Sequence, residues 1–171
     1  MKNLFTSLLL VLFVSLLPIN TIQAQNVSTG TGGSSDNEST QQHNAWLKQR
    51  FSEQHQKLIP VIAVADIFYA CNMERKTEPT DYEFSDLILI MDKNLLAQKL
   101  ALCLGDDTIQ SEIAVNFGLI GCFHQQLSHL PLAEHQKNMA LVQNSMLSLS
   151  SSERKKSFTQ CATEQAINYL K

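Results

Sequence analysis

The chain has 171 residues, 44% of them hydrophobic, and carries 13 Lys and Arg against 16 Asp and Glu, a formal charge of −3. That balance offers no basic surplus for gripping nucleic acid or an anionic lipid surface, so neither is expected as a partner. The length suits one domain once an export signal is set aside.

The export signal comes first in chain order. Met1 and Lys2 supply positive charge, LFTSLLLVLFVSLL at 4–17 is an apolar run, Pro18 breaks it, and Ala24 is a small residue at the cleavage position. The run is shorter than the roughly 20 apolar residues a spanning helix needs. A signal peptide over 1–24, cleaved after Ala24, is expected, with an uncleaved anchor as the alternative. No cysteine borders the site, so no lipoprotein anchor is indicated. Without Lys2 the mature chain has 12 basic and 16 acidic residues, a net −4, and it is not expected to span a membrane. Its expected place is the periplasm, or the medium after secretion.

Residues 25–42, QNVSTGTGGSSDNESTQQ, contain one apolar residue, Val27. Such a segment buries too little to offset the entropy of ordering it, and it reads as a disordered leader. A helical domain is expected over 43–171. HNAWLKQRFSEQHQKLI places Trp46, Leu47, Phe51, Leu58 and Ile59 among polar residues. Pro60 then marks either a kink or the first turn of a new helix. VIAVADIFYAC is apolar except at Asp66, and its alanines favour helix. A buried Asp66 would need a partner or a proton.

Thr80 and Glu83 have capping-box spacing and open a helix expected over 82–104, closed by Gly105. Asp107 and Gln110 form a capping pair for a third helix reaching Ser128. Pro131 separates a fourth, 131–148, with Met139, Val142 and Met146 inward. Ser150 and Glu153 cap the last, in which Phe158, Cys161, Ala162, Gln165, Ala166 and Tyr169 repeat on one face. Arg154, Lys155 and Lys156 read as solvated surface. The expected architecture is all-α, a small bundle of about five helices stapled by two disulfides.

The staples follow from Cys71, Cys103, Cys122 and Cys161, an even number in an exported chain with gaps too wide for paired zinc ligands. Gly118 and Gly121 each cost about 1 kcal/mol inside a helix. With Ala114 and Cys122 they offer a small-residue seam where another helix could come close enough for a disulfide. In a bundle of straight up–down–up helices, Cys71 and Cys122 lie at similar height and Cys103 about 30 Å below. That geometry favours Cys71–Cys122 and Cys103–Cys161.

Chemistry is sparsely signalled. His124, His129 and His135 lie five and six apart, which does not gather them on one helical face, and no metal or cofactor is expected. No nucleophile elbow, phosphate loop or metalloprotease motif is present. The chain therefore reads as an exported, non-enzymatic helical protein that binds another protein, an inhibitor, an immunity protein or an accessory factor of the cell envelope. Trp46, Leu47 and Phe51 are its candidate contact surface, unless they simply cap the bundle. The alternatives are a carrier of a small apolar ligand between helices, and an enzyme or metal protein using His124–His135.

Overall fold

The computed structural model describes residues 34–170. The expected signal peptide and the leader up to residue 33 lie outside that range. Among the described residues there are six helices and no strand: α1 (Ser34–Arg75), α2 (Phe84–Leu89), α3 (Lys93–Leu104), α4 (Glu112–Gln126), α5 (Leu132–Ser148) and α6 (Ser151–Asn168). The all-α reading holds, with one helix more than expected.

The first departure is α1 itself. It starts at Ser34, inside the stretch read as leader, and runs through Pro60 without a break. Proline removes one backbone donor, and the carbonyl that loses its partner belongs to Gln56, which is exposed and open to water. The C-terminal part of α1 is the axis of the molecule. Ile62, Ala65, Phe68 and Cys71 are fully buried there, with Ile67 and Ala70 nearly so.

Beyond α1 the chain turns over Asn72, a buried side chain that satisfies the loop. Its Oδ1 accepts from the Glu78 amide at 2.8 Å and from Thr77 Oγ1 at 3.0 Å, and its Nδ2 donates to the Glu78 and Thr80 carbonyls. Thr80 therefore does not cap. Glu83 occupies the N-cap position of α2 and makes no side-chain cap bond. The helix expected over 82–104 is broken at 90–92, because Asp92 accepts from the amides of Asn94 and Leu95 and so starts α3 afresh. Gly105, with φ of 63°, ends α3 as expected.

That break decides the disulfides. A continuous helix would have carried Cys103 far from Cys71, whereas two short helices return the chain to the end of α1. Arg75 in the last turn of α1 fixes the return: Nη1 donates to the Cys103 and Leu104 carbonyls, both at 2.8 Å, and Nη2 to Asp107 at 2.9 Å. The bonds formed are Cys71–Cys103 and Cys122–Cys161, with Cα separations of 6.2 and 6.3 Å. The expected pairing, Cys71–Cys122 and Cys103–Cys161, is corrected because its premise of straight full-length helices fails at Met91–Asp92.

Asp107, engaged by Arg75, does not open the next helix. Ser111 does, accepting from the Ala114 amide at 3.1 Å. The glycine seam of α4 is real. A Cβ on Gly121 would lie 2.8 Å from the Asp66 carbonyl carbon, so α1 crosses against bare backbone there, and one on Gly118 would collide with the Phe158 ring of α6. α4 and α6 run side by side in the same direction, Glu112 meeting Arg154, Cys122 meeting Cys161 and Gln125 meeting Tyr169. The Ser150–Glu153 capping box forms as expected. Arg154 is not solvated surface: its side chain is only 15% exposed, donating to the Leu149 carbonyl and to Glu112.

Candidate functional site

Three regions carry the features singled out above: the free end of α1, a buried polar junction and the histidine turn.

Every residue from 38 to 52 of α1 is exposed, and packing begins near His55, whose Nε2 lies 3.1 Å from the Thr163 carbonyl of α6. A bare helical stretch of this length is marginal in water by itself, since helices in proteins draw most of their stability from packing an apolar face. Local pairs help a little. Arg50 lies over the Trp46 ring at 5.6 Å, Phe51 stacks on His55 and Gln49 donates to Glu53 at 2.9 Å. Trp46, Leu47 and Phe51 are 53%, 46% and 46% exposed, so these three do not cap the bundle. Leu47, Phe51, Gln54 and Leu58 fall four, seven and eleven residues apart, on one side of the helix. Leu58 already packs on the core, so the line runs from the buried half of α1 onto its bare half, broken only at Gln54.

The polar junction lies where α1, α4 and α6 meet. Asp66 is fully buried, and neither of its carboxylate oxygens has a hydrogen-bond partner. Beside it stands Gln165, also buried, whose Nε2 donates to the Cys122 carbonyl at 3.2 Å while its Oε1 is unpartnered. A buried carboxyl without a partner is relieved by taking up a proton. Burial pushes the Asp66 carboxyl well above its ordinary range, against a smaller opposing pull from Gln165. Burial thus favours the neutral acid at Asp66. The nearby Tyr169 hydroxyl is pushed up in turn, by its own burial and then by the proximity of Asp66. The lone aspartate was visible in the sequence, as was Gln165 on an apolar stripe, but nothing in the sequence joined them.

At the histidine turn, His124 and His135 come together with ring centroids 4.9 Å apart, and Tyr69 meets His124 edge-on at 6.0 Å. His129 does not join them in any described contact. Burial, and then His135, lowers the His124 pKa and favours the neutral ring. Among the described residues no group of three or more His, Cys, Asp or Glu is placed to hold a metal ion. Cys122, two residues from His124, is tied up in its disulfide, so no Cys–His pair is assembled.

An open cleft of about 680 Å³ borders His124, lined also by Tyr69, Glu78 and Tyr82. There Lys99 bonds both oxygens of Glu78 at 2.6 Å, and the Tyr82 hydroxyl donates to the same carboxylate. The Lys99 bonds, and then Tyr82, hold Glu78 below the usual carboxylate range. This trio ties the 76–83 loop to α3 and is satisfied within itself. No described helix is long and apolar enough to cross a membrane. The two disulfides suggest an oxidising compartment outside the cytoplasm. Comparisons with protein-family models, with curated proteins and with solved structures found no match.

Proposed function

We propose that this is an exported, non-enzymatic binding protein of the periplasm or cell envelope, and that it engages a protein partner through the bare half of α1. The observation that carries this reading is that Leu47 and Phe51, with Trp46 beside them, leave the bundle uncovered. A helix laid into a partner's groove uses residues spaced in this way. Trp and Arg, here side by side at 46 and 50, are the residue types that dominate binding energy at interfaces. The rest of the molecule supplies a rigid base, since one disulfide ties α1 to α3 and the other ties α4 to α6.

The test is affinity capture from envelope extract with the mature chain and with a Trp46→Ala, Leu47→Ala, Phe51→Ala variant. All three side chains are exposed, so the variant keeps its fold. Capture of a discrete partner by the parent, reduced at least tenfold in the variant, is expected. Equal recovery by both would refute the assignment of this face.

A further inference from the structure

The polar residues bordering the bare stripe are chemically one-sided. Arg50 and Lys57, seven apart, follow one edge of the Leu47–Phe51–Gln54–Leu58 line. Lys48 and His55, also seven apart, follow the other. None of the described ion pairs involves Lys48, Arg50 or Lys57. Glu53, the one carboxylate between residues 43 and 58, is turned off the stripe and occupied by Gln49. A chain whose mature part is net negative therefore presents an apolar line flanked by Arg50 and Lys57 on one edge and by Lys48 on the other.

Resting on the reading of α1 as the contact face, we infer that its occupant is an amphipathic helix of a partner protein whose apolar face is bordered by Asp and Glu. Such a helix would bury Leu47 and Phe51 while its carboxylates meet Lys48, Arg50 and Lys57, the arrangement by which flanking charges choose partners in paired helices. A second copy fits poorly. Laid antiparallel with Leu47 against Phe51, it brings Arg50 to Arg50 and Lys48 to Lys48. Laid parallel in register, it sets Arg50 beside Lys48. Like charges so placed select against self-association. A lipid surface fits less well than a protein, because Gln54 interrupts the apolar line. Its amide can be hydrogen-bonded by a facing side chain but not by acyl chains.

Trp46 is the sole tryptophan of the chain and stands beside the stripe, so its emission reports occupancy directly. The probe is a synthetic four-heptad peptide with Leu at the two core positions, Glu at the two flanking positions and no aromatic residue. Its twin carries Lys in place of Glu. Titrating the Glu peptide into the mature chain is expected to shift Trp46 emission to the blue and saturate, whereas the Lys peptide leaves it unchanged. Lys48→Glu, Arg50→Glu, Lys57→Glu in one chain is expected to weaken binding at least tenfold, with helical circular dichroism retained. Equal binding of both peptides, or no loss on charge reversal, would overturn the inference. So would a shift produced by phosphatidylglycerol vesicles and not by the Glu peptide, or one that rises with the chain's own concentration in the absence of any probe. If the Glu peptide fails while capture from envelope extract still depends on Trp46, Leu47 and Phe51, the contact face stands and only its acidic partner is refuted. If that dependence also fails, both fall.

Discussion

Asp66→Asn stabilises the folded chain at pH 8, and the gain disappears toward pH 3. The reason is the proton. Unfolded, Asp66 ionises around its ordinary value of 3.8, while in the fold burial keeps it protonated to much higher pH. Its contribution is therefore complete below pH about 4. As pH rises the unfolded chain releases the proton and the folded chain does not, so stability declines by up to about 1.4 kcal/mol per unit until the folded group also ionises. An asparagine has the same shape and no charge to gain. A higher Tm for the variant is expected at pH 8, and none near pH 3. Thermal melts of both proteins from pH 3 to pH 8 read the effect. A difference that stays constant with pH, or a loss of stability in the variant at pH 8, would show that burial does not raise the Asp66 carboxyl.

Removing the second disulfide should act in the other direction. Cys122 and Cys161 are 39 residues apart, and the closed loop restricts the unfolded chain by about 4 kcal/mol on a chain-entropy basis. Cys122→Ala with Cys161→Ala is expected to lower the urea midpoint accordingly, under conditions where the other bond is intact. That bond survives because the 71–103 and 122–161 loops follow one another and do not interlace. Digestion of the parent without reductant should join the peptide of Cys71 to that of Cys103. A fragment joining Cys71 to Cys122 would refute the pairing and with it the folded-back path of α2 and α3.

That path marks where the sequence was hard to read. The helical class, the Ser150–Glu153 cap and the inward stripe of α6 were legible because local spacing decides them. So was the glycine seam of α4, since two glycines inside a helix demand a close neighbour, here Asp66 of α1 and Phe158 of α6. The break at 90–92 was missed because apolar residues recur on both sides of it. The signal present was Asp92 followed two and three residues later by the amides it caps. Without the break, heights along a straight bundle pointed to the wrong disulfides. The clamp by Arg75 on the end of α3 left no local signature at all, since its acceptors lie 28 to 32 residues away. At the contact face, Trp46, Leu47 and Phe51 were visible as candidates. Whether they were covered depended on where α6 ends against α1, which only the fold determines.

The most direct measurement is cross-linking in the producing cell, with a photoreactive benzophenone side chain placed singly at positions 46, 47 and 51 of α1. Leu132 and Leu147 of α5, also exposed, serve as controls. The account predicts one discrete higher-mass product from the three α1 positions and none from α5. Products from 132 or 147 with silence at 46, 47 and 51 would contradict it.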